Sequence, residues 1–162
     1  MDEDSQWIRF VHGTTINLWN GHTIVGLGRG DFGAGFYTFE NTRWGRNAAS
    51  KWARRKAIVA GRPVKLTPTD IPIRVKPILI HVALHANLYQ NLRRHDVPDT
   101  SLSAAYRQYY PDQLTGNELV VGRVGRNDVN GVRVPDYSLP PQYKFEGTVV
   151  AELVITHITL VS

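Results

Sequence analysis

Three short stretches of this chain place reactive residue types where a small molecule could meet them. His12 stands in Phe10-Val11-His12-Gly13-Thr14. An imidazole can hold a sugar hydroxyl, and a glycine after it leaves its backbone N–H and C=O open to a flat amide, because no Cβ blocks the approach. Phe36 and Tyr37 close Asp31-Phe32-Gly33-Ala34-Gly35-Phe36-Tyr37-Thr38. A glycine-rich approach of this kind delivers aromatics onto a strand, where their faces suit a flat, electron-poor, cationic ring. Glu118 opens the apolar run Asn117-Glu118-Leu119-Val120-Val121. A carboxylate at the start of a strand can project into a cleft, stabilise an oxocarbenium-like centre and activate an incoming nucleophile.

The elements that must position these groups follow from periodicity and breakers. Residues 7–11 alternate apolar and polar and read as a strand ending at His12. Residues 14–19 fit a turn or short helix. Residues 21–35 hold six of the fourteen glycines and read as an irregular loop. A short strand is expected over 36–39. A helix is expected over 47–60, stopped by Gly61 and Pro63, with Trp44, Ala48, Trp52 and Ile58 inward. Val64-Lys65-Leu66 and residues 71–75 are edge-strand candidates. The strongest mid-chain strand is 77–84. Helices are expected over 86–94 and 101–110, a strand over 118–124, a polar turn over 126–131, a loop over 137–141, and one or two strands over 148–161. This pattern predicts one α+β domain over residues 1–162, with two packed sheets flanked by helices.

In this order, the three stretches resemble the NAD-binding site of ADP-ribosyltransferases of the His-Tyr-Glu type. That group includes the poly(ADP-ribose) polymerases and diphtheria-like toxins. The resemblance spans His12 to about Val121 and implies the split-sheet architecture of that family. It implies that His12 and Thr14 hold the adenosine side of NAD, and that the Gly13 backbone pairs with the nicotinamide amide. Phe36, Tyr37 and Trp52 would hold the ring, the last from Ala48-Ala49-Ser50-Lys51-Trp52-Ala53. Glu118 would hold the 2′-hydroxyl and promote cleavage, making Glu118, His12 and Tyr37 the catalytic set.

The chain departs from the polymerase pattern at Ala49, where a serine that contacts the carboxamide usually stands; Ser50 and Asn47 are the nearby substitutes, and Trp44 competes with Trp52 for the stacking role. Gly116 stands where arginine-modifying members carry Glu or Gln, and they use Arg in the first motif. Both points argue against arginine as acceptor. Tyr109, Tyr110, Asp112 and Gln113 precede Glu118 in the region that contacts the acceptor in the family.

The resemblance therefore implies a mono-ADP-ribosyltransferase, expected to be a compact toxin or effector working in a cytosol, its own or that of a cell into which it is secreted or injected. NAD is its substrate, and no metal is required. The acceptor is a macromolecule, a protein in first place and a nucleic acid in second. An immunity protein or antitoxin could block the cleft. With water as acceptor the same site would make an NAD glycohydrolase.

Composition bounds these readings. The formal charge is +5 and there is no cysteine, which removes thiolate nucleophiles, disulfides and cysteine-based zinc sites. The basic balance keeps open a reading from a different class, a non-enzymatic nucleic-acid-binding module. No apolar run approaches the ~20 residues that span a bilayer, and the acidic start does not resemble a signal peptide. His81 and His85 have helical metal-pair spacing but lie in a strand-like run. The run from Gly26 to Asp31 lacks the glycine spacing and the following helix of a dinucleotide loop. No serine nucleophile elbow is present.

Overall fold

A computed structural model describes residues 6–16, 18–19, 28–60 and 76–161. The candidate strands at 64–66 and 71–75, and residues 21–27 of the glycine loop, lie outside these residues. In chain order the elements are β1 (Trp7–Thr15), β2 (Phe36–Glu40), α1 (Arg43–Ala60), β3 (Pro77–His85), α2 (Ala86–Gln90), β4 (Arg94–Asp96), α3 (Leu102–Tyr109), β5 (Leu119–Gly122), β6 (Gly125–Asn127), β7 (Arg133–Pro135), β8 (Gln142–Phe145) and β9 (Val154–Leu160). Short 3-10 turns cover Asp99–Ser101 and Gly147–Glu152.

The protein is α+β. Seven strands form one mixed sheet in the order β4-β5-β8-β2-β1-β3-β9, and β6-β7 form a separate ribbon. Two packed sheets were expected; the described residues instead make one large sheet covered on both faces. Only β4 and β5 run parallel. On one face Phe10, Phe36, Ile80, Val82, Leu119, Tyr143 and Phe145 pack beneath Val149, Val150 and Leu153 of the second 3-10 turn. On the other, Val11, Phe39 and Leu79 meet Ala48 and Ala49 of α1, while Val120 meets Leu102 and Ala105 of α3.

Helix α1 starts earlier than expected and turns a different side inward. Ala48, Ala49, Ala53 and Ala57 are buried, whereas Trp44 and Ile58, both expected inside, are exposed. Small residues win that face because β1 approaches closely. A Cβ placed on Gly13 would lie 2.0 Å from the Ala49 carbonyl oxygen. Gly13→Ala is therefore expected to destabilise the fold by about 2 kcal/mol or more, as overpacking does where backbone must move. Urea unfolding measures this. Gly116→Ala is the control: nothing lies within 4 Å of its would-be Cβ, and only its φ of +80° opposes the change, at about 1 kcal/mol. An equal cost for both would disprove the close-packing account.

Candidate active site

The sheet parts where the first two motifs meet. β1 pairs with β2 only at Phe10–Glu40 and Val11–Phe39, yet stays paired with β3 through Thr15. Side chains take over the backbone groups in the opening. His12 Nδ1 lies 2.5 Å from the Tyr37 carbonyl oxygen. A carbonyl only accepts, so Nδ1 carries the proton and Nε2 is left as an acceptor. The imidazole packs on Phe36 with ring centroids 4.4 Å apart. Burial pushes His12 down to about 3; the Lys56 charge adds to this, and the bond to Tyr37 opposes it. The ring is therefore neutral at physiological pH.

Lys56 was not singled out from the sequence, where it is one of a run of cations. Its Nζ donates to the Gly13 carbonyl at 2.8 Å, and burial lowers its pKa to about 8. An ammonium thus holds the carbonyl that the resemblance reserves for a carboxamide. Gly13 itself faces α1 rather than open space. Thr14 is buried on the His12 side of the strand.

Phe36 and Tyr37 alternate across the sheet, so they serve opposite faces. Phe36 joins His12. Tyr37 packs toward Phe32 and α3, donates its hydroxyl to the Gly33 carbonyl at 2.6 Å and accepts from the Phe32 N–H at 3.0 Å. Burial holds its phenol well above the usual range. Gly30 lies against the ring, where a Cβ would come within 2.6 Å of it. Trp52 is half-buried against the α1 side of the core, with the Arg55 guanidinium 5.6 Å from its ring centre. Ser50 is half-buried and Asn47 exposed on α1.

The third motif stands apart. Leu119 pairs with Phe145, and Phe145 with Phe36, so β8 separates Glu118 from Tyr37. Two strand spacings are roughly 10 Å. The Glu118 carboxylate accepts the Arg93 N–H at 3.1 Å and pairs with the Arg93 guanidinium at 3.4 Å. The structure thus unites His12, Phe36 and the Tyr37 backbone, and sets Glu118 at the β4–β5 side.

A nearer carboxylate is Glu146, which follows β8 beside the Tyr37 strand. It is buried and committed, accepting from Thr115 N at 3.0 Å, Thr115 Oγ1 at 3.0 Å, Gly116 N at 2.9 Å and the Lys144 ammonium. These bonds pin the loop ahead of Glu118. In that loop Tyr110, Asp112 and Gln113 are exposed, and Tyr109, at the end of α3, is half-buried. His81 stacks on His157 at 3.9 Å rather than pairing with His85. Among the described residues no three His, Asp or Glu side chains gather as a metal site would need, and no helix is long and apolar enough to cross a membrane.

Fold and site together define a class: an α+β protein whose central sheet opens at a half-buried, neutral histidine. No protein-family model, curated protein or solved structure matches the chain.

Proposed function

We propose that this chain is an NAD-dependent mono-ADP-ribosyltransferase with an ADP-ribosyltransferase-like fold, acting as a toxin or effector. The observation that carries the reading is the parting of β1 from β2 at His12 and Gly13, with Tyr37 and Phe36 across the gap. In this reading the neutral His12 offers Nε2 to a ribose hydroxyl, and Thr14 lies beside it. Phe36 supplies the aromatic surface beside His12, and Tyr37 and Trp52, on the opposite face of the sheet, would have to turn toward the opening to hold the nicotinamide. Lys56 must release the Gly13 carbonyl when the carboxamide enters, and its charge then faces the pyrophosphate.

The C1′–N bond breaks and nicotinamide leaves with the electron pair. Glu118 stabilises the ribosyl cation through the 2′-hydroxyl and takes the proton of the attacking acceptor. For that role Glu118 must exchange its Arg93 contact for substrate.

Nicotinamide release from NAD is the test, with the NAD-induced rise in melting temperature as the binding readout. Wild type is expected to release nicotinamide, and Glu118→Gln to lose at least about 100-fold of that rate while keeping the thermal shift. A Glu118→Gln variant that turns over like wild type removes Glu118 from the mechanism. Neither release nor thermal shift in wild type removes NAD altogether. Free ADP-ribose formed without any macromolecule identifies water as the acceptor and makes the chain a glycohydrolase.

A further inference from the structure

Helix α1 carries Arg43, Arg46, Lys51, Arg54, Arg55 and Lys56 and not one acidic residue. Arg43, Asn47, Lys51 and Arg54 follow one another at spacings of four, four and three, so they run down one side of the helix, and all are exposed. Ion pairs join Arg93 to Glu118, Arg94 to Asp96, Arg133 to Asp31 and Lys144 to Glu146. None of them neutralises this stripe. Lys51 and Arg54 stand about one helical turn apart, ~5.4 Å, and Arg43 two turns before Lys51 with the neutral Asn47 between them, a track suited to a chain of phosphates.

Aromatic side chains flank the stripe. Trp44 is 47 % exposed and Tyr137 63 %. The Arg123 guanidinium lies between them, 5.9 Å from one ring centre and 5.3 Å from the other, and donates to the Leu139 carbonyl at 2.9 Å. Trp44 is fixed by its Nε1 bond to the Ser138 carbonyl at 3.3 Å, and Tyr137 by its hydroxyl bond to Asp99 at 2.8 Å. Ser138 holds Asp136 below the usual carboxylate range, and Arg126 and Lys51 add to this, which joins the stripe to the β6–β7 ribbon. Asp99 and Asp136, acids beside this surface, are already hydrogen-bonded to Tyr137 and Ser138.

We propose that the outer face of α1, with Trp44, Arg123 and Tyr137, is a docking surface for single-stranded nucleic acid. The stripe takes the phosphates and the pre-positioned Trp44 and Tyr137 rings take unpaired bases. Aromatic platforms beside a cationic track favour a single strand, because a duplex hides its base faces. The surface stands independently of NAD chemistry, and its test contains no NAD.

The experiment is fluorescence anisotropy with a labelled short oligouridylate, repeated over a salt series, with the same strand in duplex and with polyglutamate as competitor. Wild type is expected to bind the single strand more tightly than the duplex. Trp44→Ala and Tyr137→Ala should each weaken binding by about tenfold with little change in salt slope. Lys51→Gln and Arg54→Gln should each flatten the slope of log K against log salt by about 0.7. All four positions are exposed, and melting temperatures confirm that the variants fold. The proposal is overturned by no binding at low salt, by equal competition from polyglutamate, by preference for the duplex, or by aromatic variants that bind like wild type.

Discussion

Lys144→Met is expected to cost about 3–5 kcal/mol of folding stability, enough to unfold most of a marginally stable domain. Lys144 is fully buried on the face of β8 that looks toward α3, an unusual place for an ammonium. Its Nζ pairs with Glu146 and donates to the Ala34 carbonyl at 3.1 Å, and its stem fills the space beside Gly35, where a Cβ would come within 2.1 Å of Lys144 Cδ. Burial lowers the Lys144 pKa, and the Glu146 carboxylate opposes that. Burial alone would push Glu146 up; Lys144 and the N–H groups of Thr115 and Gly116 bring it below the usual carboxylate range. Methionine keeps the stem and removes the charge, so Glu146 is left as a buried carboxylate without its cation. Urea unfolding at neutral pH measures the loss. Lys144→Met with Glu146→Gln should recover more than half of it, since a neutral amide still accepts from Thr115 and Gly116. A single-variant cost below about 1 kcal/mol would show that the pair is not what holds this corner.

That corner is also where sequence reading falls short. β8 falls between the loop expected over 137–141 and the strands expected over 148–161 and carries no assignment from sequence: Pro140-Pro141 precedes it, Gly147 follows it, and its four residues mix Gln and Lys with Tyr and Phe. Alternation normally puts polar residues in water. Here both faces are covered, and Gln142 and Lys144 are buried as fully as Tyr143 and Phe145. Missing β8 places Glu118 next to the Tyr37 strand by default, and its presence moves Glu118 one strand further away. By contrast, β1, β2, β3, α3 and β5 were readable within a few residues, because each is an apolar run or a periodic one bounded by Gly, Pro or polar turns. The nearness of His12 to Phe36 and Tyr37 was readable for the same reason: adjacent antiparallel strands bring the two motifs together. The identity of the inner face of α1 was not readable, since Trp and Ile outrank Ala in hydrophobicity. Only the close approach of Gly13 excludes them. Lys56 and the His81–His157 stack depend on contacts between residues 43 and 76 positions apart, respectively, which no local pattern encodes.

The opening at His12 makes acid a specific threat to this fold. In the folded protein His12 resists protonation down to about pH 3, because its ring is desolvated and stands near Lys56, which together outweigh the opposing bond to Tyr37. In the unfolded chain the same ring protonates near pH 6.5. Between those values the unfolded state binds the extra proton, so stability falls as pH drops through 6.5 and continues to fall toward 3, by about 1 kcal/mol per pH unit. Glu146 acts in the same direction but only below the ordinary carboxylate pKa, about 4.3, because its folded pKa is depressed. The window from pH 6.5 to 5 therefore isolates the histidines. His81 adds to it, lowered by burial and then by His157 and Arg46. His12→Gln can still donate an amide N–H to the Tyr37 carbonyl and has no proton to gain. Urea melts of wild type, His12→Gln and His81→Gln at pH 7, 6 and 5 should show a steep loss in wild type and a flatter one in each variant, flattest for His12→Gln. An unchanged pH slope in His12→Gln would mean that the ring protonates freely in the folded state, and would deny it the fixed neutral tautomer. The same neutrality is what suits His12 to its proposed role: a ring that cannot gain a second proton presents Nε2 only as an acceptor, and so selects a hydroxyl rather than a phosphate at the parting of β1 and β2.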